Sequence, residues 1–189
     1  MFLRKFQKVG TFSKENYIYI WFVLILVIGL SRREQFYIKF PHNISELLLK
    51  DIVIIIVVSV LVAKISGYNP SKSLKNIVNF VVIFPIAEEI LFRGIIFSLS
   101  ELGTTKIYII ASMSLAVLIS AVCFGITHLQ YHNFKITALS RKQILIAFIG
   151  GIFMGKIVEQ TGSIILPLVI HITFNFSATV FSRLNDRYN

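Results

Sequence analysis

Long apolar runs constrain this chain more than any other feature. Six stretches, roughly 16–31, 46–64, 78–100, 107–130, 143–158 and 163–182, are dominated by Ile, Leu, Val and Phe and are separated by short polar breaks. A bilayer core about 30 Å thick takes about 20 helical residues to cross. Inside it the backbone must satisfy its own hydrogen bonds, which a helix does. The pattern predicts an all-α fold, a polytopic membrane helix bundle of about six transmembrane helices forming a single membrane domain. The first and fifth runs are short for that thickness and are expected to lie partly at the interface. Turn chemistry marks the breaks, with "SGYNPSKS" at 66–73, "ELGTTK" at 101–106 and "EQTGS" at 159–163.

Composition narrows the partners. Hydrophobic residues make up 56% of the chain and charged ones 15%, yet the net charge is +10. Such a balance suits nucleic acid only when the basic residues share a face; here they flank apolar runs, so the expected partner is the lipid bilayer and no nucleic acid. Counting alternate connections, Arg4, Lys5, Lys8, Lys14, Lys64, Lys72, Lys75, Lys135, Arg141, Lys142, Arg183 and Arg187 fall on one side, which is 12, against 5 on the other (Arg32, Arg33, Lys39, Lys106, Lys156). The positive-inside rule then puts both termini in the cytoplasm of a multi-pass cell-membrane protein. The basic start lacks a small-residue cleavage site, so no cleaved signal is expected. Cys123 is the only cysteine, which excludes an intramolecular disulfide and a Cys-based zinc site. The small size and the Ile-, Lys- and Asn-rich composition suggest a bacterial chain.

The third run contains "IFPIAEEILFRG", residues 83–94. A charge at that depth costs about 2.5–3.5 kcal/mol on insertion scales, so each needs a reason. Glu89 and Arg93 lie four apart, share a helix face and can pair. A buried ion pair that locks helix packing accounts for both. It leaves Glu88, about 100° round the helix, unexplained. The fourth run adds Phe124 and His128, and the sixth adds His171 and Asn175, again four apart in each case. One intramembrane His is ordinarily a packing residue; three helices each carrying such a pair point to one shared cavity.

Those side chains suit hydrolysis by activated water. Glu88 can act as general base, with His128 holding the water or donating to a leaving group. His171 and Asn175 can supply N–H donors to an oxyanion. Glu89 and Arg93, with Phe124, have supporting places. No GxSxG elbow is present, so no nucleophilic serine is implied. A metal version stays open. "HLQYH" spaces His128 and His132 as in HExxH but lacks its Glu, while Glu88, His128 and His171 offer two His and one carboxylate to a possible zinc. No cofactor is favoured by the residues alone, and zinc stays open.

In order and spacing, "EEILFR", "FGITH" and "HITFN" resemble the three motifs of the CAAX prenyl protease and bacteriocin-processing family (CPBP, Abi) of intramembrane endopeptidases. "FRG" and "GSIILP" are similar to that family too, and the resemblance covers about 80–180. It implies N-terminal membrane helices over 1–76 and a catalytic core over 77–182. It also implies Glu88 and His128 on the water, His171 and Asn175 at the oxyanion, and Glu89 and Arg93 in support. The family is often labelled metalloprotease, and a metal-free glutamate mechanism has been proposed for it. Its eukaryotic members cut after a prenylated cysteine; bacterial ones are linked to peptide processing, bacteriocin immunity or signalling. The implied substrate is a membrane-embedded or membrane-associated peptide or protein. A non-catalytic immunity or regulatory partner that retains the fold is the alternative, and a proton-coupled transporter is disfavoured by the lack of an internal repeat. Gly151 and Gly155 are read as a helix-packing face, Tyr17, Tyr19 and Trp21 as an interfacial belt, and His42 and His132 as residues without chemistry.

Overall fold

The computed structural model describes residues 2–42, 46–70, 73–103, 108–110 and 113–188, with side chains described for 16, 18–42, 49–70, 73–102 and 113–185. Tyr17, Thr104, Arg4, Lys5, Lys8, Lys14, Lys72, Lys106 and Arg187 fall outside the described side chains. Among the described residues the chain forms α1 (Phe2–Ser31), α2 (Glu46–Ile65), a long helical segment α3 (74–103), a short hairpin of β1 (Tyr108–Ile110) and β2 (Met113–Ser114), α4 (Leu115–Thr127), α5 (Ala138–Thr161) and α6 (Ile165–Tyr188). A 3₁₀ turn, His128–His132, extends α4. The fold is an all-α bundle.

Its polarity is inverted relative to a water-soluble protein. Glu89 and Arg93 are fully buried, while Trp21, Val27, Ile54, Leu61 and Phe153 are each more than half exposed. An apolar outer surface with charges inside fits a lipid surround. Leu115–His132, Ala138–Thr161 and Ile165–Asn185 are long and apolar enough to cross a membrane, while the apolar part of α1, Ile18–Ser31, is shorter.

Two boundaries differ from the sequence reading. The fourth run is extended at Tyr108–Ile110 and becomes helical at Leu115. Ser114 caps α4 by accepting a hydrogen bond from the Val117 N–H at 3.2 Å, and the apolar residues just before it form the hairpin. The fifth helix is not short. Thr137 and Ser140 form a capping box that draws Arg141 and Lys142 into the helix, which runs 24 residues from Ala138 to Thr161 and is capped by Gly162. Gly162 has φ 61°, the left-handed conformation glycine tolerates best, and a Cβ there would lie 2.9 Å from His42 Nε2.

Helices α4 with α5, and α2 with α6, make the most extensive packing pairs. The first pair approaches through small residues, since a Cβ on Gly151 would come within 3.0 Å of the Ala121 Cα and one on Gly155 within 3.0 Å of Val117. A core of Ile90, Phe97, Ala116, Val117, Val158 and Ile164 joins α3, α4 and α5 to the start of α6. The connection 32–42 closes that end: Ser98 Oγ donates to Gln35 O at 2.8 Å, the Ile164 N–H to Tyr37 O at 3.0 Å and the His42 N–H to Thr161 O at 3.2 Å. The Tyr37 hydroxyl donates to Glu101, and burial, then that carboxylate, push the phenol above its usual range. Farther back along α1, away from that connection, Trp21 is 63% exposed, as an interfacial residue can be, whereas the Tyr19 hydroxyl is turned inward onto Asn79 Oδ1 at 3.1 Å.

Candidate active site

Helix α3 is not a regular α-helix. It is α-helical at Leu74–Val78, Phe84–Glu88 and Phe97–Gly103 and π-helical at Asn79–Ile83 and Glu89–Ile96. In the first π stretch the Phe84 N–H reaches back five residues to Asn79 O. The next donor in that register is Pro85, which has no N–H. The carbonyl it would have served, Phe80 O, instead accepts from Asn175 Nδ2 of α6 at 2.7 Å. A proline thus ties Asn175 of α6 to the helix that carries the glutamates. π turns of this kind recur at functional sites.

The second π stretch begins at Glu89, and the two neighbouring carboxylates point to different sides of the helix. Glu89 turns inward: its Oε1 accepts from Arg93 Nη1 at 3.0 Å and from His171 Nδ1 at 2.8 Å. Both Glu89 and Arg93 side chains are 0% exposed. Among the described residues, the buried side-chain polar atoms without a hydrogen-bond partner are Glu89 Oε2, Arg93 Nε and Arg93 Nη2. The Phe124 ring, 4.0 Å from the guanidinium carbon, faces that cation and lends the negative face of its π system. Phe124 also touches the Phe92, His128 and His171 rings, at centroid distances of 5.2, 4.8 and 5.7 Å. It is the aromatic centre of the site.

Glu88 turns the other way, and its side chain keeps 14% of its surface. Its Oε1 accepts from the Tyr131 hydroxyl at 2.9 Å, and its Oε2 lies 3.6 Å from His171 Nε2. His171 therefore stands between the two glutamates. His128 is set by the tightening of α4 into its 3₁₀ turn. The His128 N–H bonds Gly125 O, which frees Phe124 O to accept from the same residue's Nδ1 at 2.8 Å. A carbonyl only accepts, so Nδ1 carries the proton and Nε2 of neutral His128 is left with its lone pair. The same logic applies to His171 Nδ1 on the Glu89 carboxylate.

A cavity of about 470 Å³ opens over this group. Glu88, Phe124, His128, His171 and Asn175 line it together, so the four residues assigned to chemistry share one space. Arg93 and Glu89 lie behind that wall. The remainder is almost wholly apolar, with Ile54, Val58 and Ile65 of α2 facing Ile146, Ile149 and Phe153 of α5. Among the described residues no group of three His, Cys, Asp or Glu side chains lies close enough together to hold a metal ion.

Two aromatic residues escaped the sequence reading. Tyr131 touches Glu88, and Tyr68, from the break between α2 and α3, packs edge-on to His128 at 6.3 Å between centroids. Tyr131 lies inside "HLQYH", three residues past His128, where it reads as an interfacial aromatic. Tyr68 gave no signal, since a turn dominated by Ser, Gly, Asn and Pro conceals which residue points inward. His132, in turn, meets Gln143 Oε1 at 2.8 Å, away from Glu88.

A bundle with apolar surroundings, a buried carboxylate–arginine–histidine frame and a second carboxylate facing a cavity is an arrangement that can support hydrolysis within a membrane. Residues 70–177, more than half of the chain, match the model of the family described as type II CAAX prenyl endopeptidase Rce1-like, and the chain belongs to that family. It is a CAAX-type intramembrane peptidase whose class acts on membrane-associated peptides. Comparison with curated proteins gives no match, and neither does comparison with solved structures.

Proposed function

We propose that the protein cleaves a peptide bond of a membrane-associated peptide or protein with a water activated by Glu88. One observation carries the reading: of two adjacent glutamates, Glu89 is sealed in a salt bridge, whereas Glu88 faces the apolar cavity within reach of His171 and Tyr131. Glu88 takes a proton from the water, whose oxygen attacks the scissile carbonyl carbon. His128, with Nε2 turned away from its anchored Nδ1, accepts a hydrogen bond from that water and positions it. The carbonyl oxygen that becomes an oxyanion lies against the second amide N–H of Asn175, the first being held by Phe80 O. His171, when it carries a proton on Nε2, is the other donor. Glu88 returns its proton to the leaving amine. The water is held by residues and no step passes through a metal.

The apolar part of the substrate enters from the bilayer between α2 and α5, whose Ile, Val and Phe side chains line the two flanks of the cavity. With both termini cytoplasmic, the polar end of the site, bordered by 66–70 and 131–143, faces the cytoplasm. Single cysteines at Asn133 and Thr104 in a Cys123→Ser background test that placement. An impermeant thiol reagent added to intact cells is expected to label position 104 alone; labelling at 133 reverses the topology. The chemical test is cleavage by purified protein. Glu88→Gln is expected to abolish it, by about a hundredfold or more as for loss of a general base, while chelators leave wild-type cleavage unchanged. Full cleavage by Glu88→Gln contradicts the role of Glu88, and one zinc per chain lost together with activity contradicts the metal-free water.

A further inference from the structure

A second cavity of about 460 Å³ adjoins the first, and its lining has a different chemistry. Apart from its catalytic wall, Ser59 and Lys142, the first cavity is lined by apolar and aromatic residues. The second carries the side chains of Asn69, Asn76, Asn79, His132 and Gln143 and, among the described residues that line it, no carboxylate, lysine or arginine. Tyr68, Phe80, Phe84 and Tyr131 line both cavities and so form the partition between them. Phe84 and Tyr131 stack across it at 6.3 Å between centroids, as do Tyr68 and Phe80 at 5.7 Å. Tyr131 is also the residue whose hydroxyl rests on Glu88. The boundary between apolar and polar space therefore falls at the proposed base.

The carboxamides divide into two sets. Asn79 holds the Tyr19 hydroxyl, and Gln143 holds His132 and reaches Ser66 O at 3.5 Å. These two build the walls. Asn69 and Asn76 are exposed, and among the described residues their side-chain amides make no hydrogen bond. Each presents one acceptor and two donors without charge, the complement of a peptide backbone or of uncharged polar side chains. Among the described residues that line it a charged tail would find no counter-charge, and an apolar tail would displace water from the amides without replacing its hydrogen bonds, which is costly.

We infer that this cavity is a substrate-binding site for the uncharged, polar peptide segment adjoining the scissile bond, with Asn69 and Asn76 as its specificity-determining residues. The inference rests on the reading of Glu88 as base, because a chain whose apolar part fills the first cavity and whose scissile bond lies at Glu88 must continue past Tyr131. The enzyme then selects peptides that change from apolar to polar at the cut. Tyr68 and Tyr131 mark the crossing point.

Disulfide capture in proteoliposomes tests it. The probes are synthetic peptides with a Leu/Ala segment followed by either a Ser/Gln/Asn tail or a Leu/Val tail, carrying one cysteine in the tail or in the Leu/Ala segment. The protein carries Cys123→Ser with Asn76→Cys or with Ile149→Cys. Asn76→Cys is expected to trap the tail cysteine of the polar-tailed peptide about tenfold better than that of the apolar-tailed one, and Ile149→Cys to trap the Leu/Ala cysteine of both. Capture at 149 without preference at 76 overturns the inference and leaves the reading of the first cavity standing. Capture at neither position overturns that reading as well. Cleavage gives the second arm: Asn69→Ala with Asn76→Ala is expected to raise KM for the polar-tailed peptide about tenfold at unchanged kcat, and to spare the apolar-tailed one. An equal change for both tails contradicts the assignment.

Discussion

Glu88 and Glu89 are neighbours in the chain and opposites in the structure. Glu89 belongs to a frame of Arg93, Phe124 and His171, with no surface of its own and two hydrogen bonds on one oxygen. Glu88 belongs to a cavity wall and touches Tyr131 and His171. The comparison separates two ways of tolerating charge in a membrane. A charge locked to its counter-charge and sealed from the cavity holds the fold and has no access to substrate or water. A charge facing a cavity costs more to keep and is available for proton transfer. His171 belongs to both regions and couples them.

Substitutions on the two sides should therefore fail in different ways. The largest effect on the fold is expected from Arg93→Ala, which leaves Glu89 buried and alone; loss of one partner of a buried pair costs about 3–5 kcal/mol. Thermal denaturation in detergent, or accumulation in the membrane, reads it, and a normal melting profile would dissolve the distinction drawn here. Phe124→Leu removes the ring that faces Arg93 but keeps much of the volume. Its expected cost is about 1–2 kcal/mol, between a conservative core swap and a cavity, again seen in melting before activity. Gly151→Ala sharpens the frame from behind. The added Cβ would sit 3.0 Å from the Ala121 Cα and 3.3 Å from Arg93 Nη2, and overpacking of this kind costs about 1–3 kcal/mol. Tyr131→Phe is the mildest and tests the cavity side. It removes one hydrogen bond to Glu88 and should lower kcat about tenfold with little change in melting. Destabilisation without a kinetic effect would move Tyr131 into the frame.

Much of this site is legible in the sequence, for a physical reason. Charges and histidines inside apolar runs are too costly to be incidental, so Glu88, Glu89, Arg93, His128, His171 and Asn175 stand out. The spacing of four correctly pairs Glu89 with Arg93 and places Phe124 against His128. It does not show that His171 reaches across to both glutamates, because that contact is set by how α6 packs on α3. Nor does it show the π turns, or the orphaned Phe80 carbonyl that holds Asn175. Pro85 was the available cue: a proline within a helix leaves a carbonyl to be satisfied by another group. The boundaries of α4 and α5 were misread because apolar residues continued through the hairpin before Ser114, and because Arg141 and Lys142 looked like loop residues although Thr137 and Ser140 cap them into the helix. Tyr68 and Tyr131 had no distinguishing pattern, since aromatic residues near a membrane surface are common.

The division of labour between the two glutamates is tested most directly by measuring cleavage rate and melting temperature on the same preparations of Glu88→Gln and Glu89→Gln. The account predicts that Glu88→Gln melts like the wild type and does not cleave, while Glu89→Gln melts well below it and loses activity in step with folded protein. A stable, inactive Glu89→Gln beside an active Glu88→Gln would contradict it.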